Sequence, residues 1–262
     1  MHMEMSVLIA WKELLEIARD RRVIRQVVVA SLTVVPIVAY FSSTILVSSP
    51  RSIVVIFLMF ICQYGLILTT PTGINMIAGE REAGTLETTF LICKSRVAIA
   101  LGKVAAFTVA NCCVALLLFC SAAIGVSASR LIINSSSGLD ALGAIRMAAA
   151  YLLYGIGIIP MASIAIVLIG ALSKSSKEAF GYANAFHLLV GIGPIAAAHF
   201  TEQLGSAAVA IPIVNLLEVL QLFVEYKLPA MQAALVFVAL FVIDATGLLF
   251  LVRLLLKDEL LN

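Results

Sequence analysis

The chain of 262 residues is 62% hydrophobic and 12% charged, far from the near-half apolar, quarter-charged make-up of a soluble domain. Its net charge of +2, from scattered Lys and Arg, carries no mark of a nucleic-acid binder. Five cysteines (Cys62, Cys93, Cys112, Cys113, Cys120) are odd in number, lack C-x-x-C spacing and fall mostly in apolar runs, so they read as small packing residues rather than a metal or redox site.

In chain order, Val7, Leu8, Trp11, Leu14, Leu15 and Ala18 recur at helical spacing, with Lys12, Glu16 and Arg19 on the other side. This predicts an amphipathic helix over residues 4–22, containing Trp11, Lys12, Glu13, Arg19, Asp20 and Arg21, that lies on the inner membrane surface or packs on a partner. Glu4, Glu13, Glu16 and Asp20 interrupt any signal-peptide pattern, so the first span is expected to direct insertion itself.

Crossing the hydrocarbon takes about 20 mostly apolar residues. Six stretches qualify: Val27 to Val47, Ile53 to Ala78, Val104 to Val126, Met147 to Ala171, Ala179 to Phe200 and Gln232 to Val252. The expected fold is an all-α integral membrane protein, a single transmembrane domain over residues 1–262 with six transmembrane helices and no soluble domain. Placing both termini inside assigns thirteen of the 17 Lys and Arg residues to the cytoplasm, leaving Arg51, Arg130, Arg146 and Lys227 outside.

The inner loop at 79–97 opens Gly79-Glu80-Arg81-Glu82-Ala83-Gly84-Thr85-Leu86-Glu87. Its glycines allow tight backbone geometry, and Thr85 is placed to cap a following short helix. A solvated loop and a docking element both fit. The segment 201–231 is apolar from Ala207 to Val224 yet contains Pro212, Asn215, Glu218 and Gln221. The polar residues recur at helical spacing and continue to Glu225, which predicts a re-entrant or interfacial helix on the outer side, with Glu218 and Gln221 facing a vestibule or sealing a dimer. Asp244, inside the last span, is either the centre of proton-coupled transport or the partner of a hydroxyl such as Thr246 on a neighbouring chain or of a backbone carbonyl. His187 and His199 in the fifth span read as packing or interface residues, since a dyad with Ser127 has no third orienting group. No internal repeat of the secondary-transporter kind is visible.

Glu80-Arg81-Glu82 with Gly84-Thr85-Leu86-Glu87 resembles the GERE-x-GT-x-E signature that follows the second span in permeases of type 2 ABC exporters, including the sodium-extrusion and drug-export types. Lys12-Glu13-Leu14 with Arg19-Asp20-Arg21-Arg22 resembles that family's opening helix, and Gly102-Lys103 and Ile211-Pro212-Ile213-Val214-Asn215 are similar to it as well. The chain departs at Cys93 and Lys94, where members frequently carry Pro, and in the short loop from Ser48 to Ser52, where some sodium extruders carry an insertion. The resemblance implies a non-enzymatic permease of the cell (inner) membrane that docks a separate ATPase through Glu80, Arg81, Glu82, Gly84, Thr85 and Glu87. It implies assembly as a homodimer, or as a heterodimer with a similar permease, and export of substrate by alternating access. The chain has no G-x-x-x-x-G-K-[ST] phosphate cradle, since Val97 and Val104 flank Gly102-Lys103 where Gly and a hydroxyl are needed. ATP and Mg²⁺ are therefore expected on the partner, with no cofactor on this chain. Gly181 and Ala185, four apart, are candidate dimer contacts or packing within one subunit.

Overall fold

The computed structural model describes residues 2–44, 51–93, 95–133, 141–199, 212–224 and 230–256. Among these there is no strand. A helix satisfies every interior backbone group within its own segment, which is what a chain of long apolar runs needs in lipid. The elements are α1 (His2–Arg19), α2 (Arg21–Thr44), α3 (Arg51–Ile74), a π-helical turn (Asn75–Gly79), α4 (Glu80–Glu82), α5 (Thr85–Ile92), α6 (Arg96–Ile133), α7 (Ala141–Leu172), α8 (Ser176–His199), α9 (Pro212–Val224) and α10 (Ala230–Leu256).

Four of the described helices are long and apolar enough to cross a membrane, over Arg21–Tyr40, Arg96–Ala128, Ile145–Leu172 and Met231–Leu256. These fit a transmembrane protein. They overlap the expected first, third, fourth and sixth stretches, while the expected second and fifth fall on α3 and α8, helices of 24 residues each. Large side chains such as Leu32, Leu117, Ile156 and Phe241 stand more than half exposed, an arrangement suited to lipid and costly in water.

Helix α6 is the spine, packing against α1, α2, α3, α7 and α10. One core cluster gathers Val34, Cys62, Leu118, Tyr154, Ile158 and Leu216. A second, towards the α4 end, gathers Ile74, Ile77, Leu86, Phe107, Ile166 and Leu251. The approach of α1 to α6 requires glycine, because a Cβ on Gly102 would lie 2.7 Å from Ile9 Cγ2 and 2.9 Å from the Ser6 carbonyl oxygen.

Several sequence expectations change. The first helix stops at Arg19 rather than continuing to 22, because the Asp20 carboxylate accepts the Arg22 N–H at 2.7 Å and so caps α2. Arg21 consequently belongs to α2. Of the cysteines, only Cys62 packs in the interior; Cys112, Cys113 and Cys120 lie on the exposed surface of α6 and Cys93 is partly covered. Thr85 does not cap α5: the residue before the helix is Gly84, at φ 69°, and the Thr85 hydroxyl donates back to the Glu80 carbonyl at 3.2 Å.

Within 201–231, residues 200–211 and 225–229, and with them Glu225, lie outside the described residues. Helix α9 begins at Pro212, and its 13 residues span only about 20 Å at 1.5 Å per residue. Val214, Leu216, Val219 and Leu220 are buried, Asn215 is half-buried and Glu218 is exposed, so the expected polar stripe faces outward at Glu218. The helix packs on α7, α8, α10 and α3. The Gln221 side chain lies outside the described residues.

Candidate functional site

The first three charged residues of the 79–97 loop bond to the helices around it. Lys103, fully buried on α6, places Nζ 2.8 Å from Glu13 Oε1 of α1, 2.8 Å from Glu80 Oε1 of α4 and 2.7 Å from the Met76 carbonyl of the π turn. An ammonium has three donors, and all three are used. A buried ion pair holds only when such hydrogen bonds complete it. Two carboxylates face one ammonium, and Glu80 Oε2 is buried without a hydrogen-bond partner. Partial burial works against the neighbouring Lys12 ammonium, but Glu13, Glu16 and Glu80 outweigh it and hold its pKa above the ordinary value.

Arg81 donates to the carbonyls of Ala171, at 3.3 Å, and Ser173, the orphan acceptors at the end of α7. Glu82 accepts the Ser176 N–H at 2.7 Å and the Ser176 hydroxyl at 2.9 Å, capping α8. These two hydrogen bonds, backbone first, hold the Glu82 carboxyl below the usual carboxylate range. Arg96, at the start of α6, donates to the carbonyls of Leu255 and Leu256 at 3.0 and 3.1 Å, closing the end of α10, and stands 5.2 Å over the Phe90 ring. Glu80, Arg81, Glu82 and Arg96, with Lys103 and Glu13, thus form a charged clasp that gathers α1, α6, α7, α8 and α10.

What remains on the surface of the clasp is α5. Glu87 and Thr85 are exposed, Leu86 is buried, and Leu91 and Ile92 are 82% and 75% exposed at the helix end. Along α1, Trp11, Val7 and Leu8 are exposed, while the opposite side buries Ile9 and Glu13 against α6. Lys12 pairs with Glu16 at 3.3 Å, and Arg19, Asp20 and Arg21 are exposed.

A second polar arrangement crosses the bundle interior. Thr70 donates to its own helix at the Leu66 carbonyl, 2.8 Å away, so its oxygen accepts from His187 Nε2 at 2.6 Å, and His187 Nδ1 accepts from Gln63 Nε2 at 2.9 Å. That pattern assigns His187 the tautomer with its proton on Nε2. Thr69 donates to Asn111 Oδ1, and Asn111 Nδ2 donates to Ser163 Oγ at 3.0 Å. These side chains tie α3, α6, α7 and α8 together. Gln63 Oε1 and Asp244 Oδ1 are buried without hydrogen-bond partners. Thr246 donates within α10 to the Ile243 carbonyl at 2.9 Å. Ser127 bonds its own helix at Ala123, and the His199 side chain lies outside the described residues.

Sequence reading missed Lys103, Arg96, Gln63 and Asn111 as interior partners. The available signal for Lys103, Gln63 and Asn111 was their position inside apolar runs, where polar residues rarely stand without a reason; Arg96, in the charged loop, gave no such signal. Gly181 and Ala185 are both exposed, and a Cβ on Gly181 would meet nothing within 4 Å among the described residues. No group of three or more metal-ligating side chains occurs among the described residues. Compared with known proteins, the chain matches no family model and no curated sequence.

Proposed function

We propose that the chain is the membrane-spanning permease subunit of an ATP-driven exporter, with six spans, both termini cytoplasmic, two permease copies per assembly and ATP hydrolysed on a separate subunit. The observation that carries this reading is the clasp. A short helix with exposed Leu91, Ile92 and Glu87 projects from a segment bonded to the ends of α7, α8 and α10 and, through Lys103, to α6 and α1. Force applied to α5 by a partner would reach the bundle as a rigid-body displacement rather than dissipate in a loop. In this reading Glu80, Arg81 and Glu82 transmit, and Glu87, Leu91 and Ile92 dock. The exposed Gly181 and Ala185 supply a close-approach surface for the second copy. Replacing Leu91 and Ile92 with Asp should abolish association with the ATPase while the chain still inserts; undiminished association would refute the docking role.

A second reading, transport driven by an ion gradient, is favoured by the unpartnered Asp244 Oδ1 and the polar arrangement around His187. An Asp244→Asn variant separates the two. Transport by the wild-type chain under an imposed proton gradient without ATP, lost in Asp244→Asn, belongs to the second reading alone.

A further inference from the structure

The α2 and α3 helices part near the start of α2, leaving a cavity of about 500 Å³ lined by Arg22, Arg25, Gln26, Val29, Ala30, Tyr64 and Leu68. Its character changes along the helix. Arg22, Arg25 and Gln26 occupy the first turns of α2, and Val29 and Ala30 stand roughly one to two turns deeper, opposite Tyr64 and Leu68 of α3. The Arg25 Nε donates to the Arg21 carbonyl at 3.1 Å, which leaves the terminal guanidinium nitrogens of Arg25, and the whole guanidinium of Arg22, without a counter-ion among the described residues. Gln26 and Tyr64 likewise have no side-chain partner there. Asp20, the nearest acid in sequence, is engaged with the Arg22 backbone N–H.

A cavity with unpaired cations at its mouth and an apolar wall below matches an anionic amphiphile. We propose that it binds an anionic phospholipid of the leaflet that carries the start of α2, with the phosphate on Arg22 and Arg25 and the first methylenes of one acyl chain against Val29, Ala30 and Leu68. Guanidinium recognises phosphate oxygens through paired N–H donors, and the apolar wall distinguishes a lipid from free phosphate. The inference does not depend on the export reading.

The test uses the full chain reconstituted in phosphatidylcholine vesicles. Trp11 is the sole tryptophan, so Trp11→Phe with Tyr64→Trp puts a single indole in the cavity wall. Brominated phosphatidylglycerol should quench that indole more strongly than the same fraction of brominated phosphatidylcholine, consistent with local enrichment on the order of tenfold for two cationic contacts. The excess should vanish in Arg22→Gln/Arg25→Gln and persist in Arg22→Lys/Arg25→Lys. It should also vanish in Val29→Phe, which fills the exposed wall and leaves both charges in place. Equal quenching by the two lipids, or an excess that survives both the Gln pair and the Val29 change, would overturn the site. Abolition by added inorganic phosphate would overturn the lipid assignment and give the cations to a soluble anion.

Discussion

Lys103 shows how one residue can hold several elements in register. Its ammonium is buried and bonded to α1, α4 and the π turn at once, and an unpaired carboxylate left behind in such a site costs about 3–5 kcal/mol. Lys103→Met should therefore destabilise the chain by roughly that amount, measured by thermal unfolding in detergent, while Glu13→Gln added to it should recover part of the loss. If the single change is neutral, the clasp does not stabilise the fold. Glu82 makes a separate, pH-dependent contribution. Its folded pKa is lowered by the Ser176 hydrogen bonds, so the cap is fully present above the ordinary carboxylate pKa of about 4.3 and is lost as pH falls through the lowered value. Hydrogen exchange at the Ser176 amide, corrected for intrinsic rates, should be flat between about pH 6 and 8 and speed up below about pH 4. Glu82→Gln should exchange faster at neutral pH and lose that acid dependence.

Among the elements, α1 has two unlike jobs on its two sides. The amphipathic pattern of Trp11, Leu8 and Val7 was legible in the sequence, and those residues are exposed as a membrane-surface helix requires. Its attachment was not legible, since Glu13 reads as one more polar residue until Gly102 brings α6 close enough for Lys103 to reach it. Periodicity reports which face is apolar; it carries no information on which distant helix supplies a counter-charge. The same holds for Glu80, Arg81 and Glu82, whose sequence pattern suggests solvent or a partner while their bonds run inward. A Gly102→Ala change already places a Cβ under 3.0 Å from Ile9 and the Ser6 carbonyl, and overpacking of this kind costs about 1–3 kcal/mol. It should loosen α1 and raise trypsin cleavage at Arg19 and Arg21. Gly181→Ala, which meets nothing within 4 Å, should leave that cleavage unchanged.

For the whole molecule, composition pointed to a chain suited to lipid, and four of the described helices are long and apolar enough to cross a membrane. The second expected stretch, Ile53 to Ala78, runs along α3 into the π turn, where Ile77 and Ala78 are buried against neighbouring helices. What the assembled bundle adds is mechanical: the exposed helix α5 is joined to α1, α6, α7, α8 and α10 through Glu80, Arg81, Glu82 and Arg96, with Lys103 and Glu13 completing the link to α1. The most direct measurement is affinity purification of the tagged chain from native membranes in mild detergent, with ATP hydrolysis assayed on the material recovered. An ATP-hydrolysing subunit should accompany the wild-type chain in stoichiometric amount and be missing from Leu91→Asp/Ile92→Asp. Recovery of the wild-type chain without any such subunit, or of the same subunit with both forms, would contradict an ATP-driven permease coupled through α5.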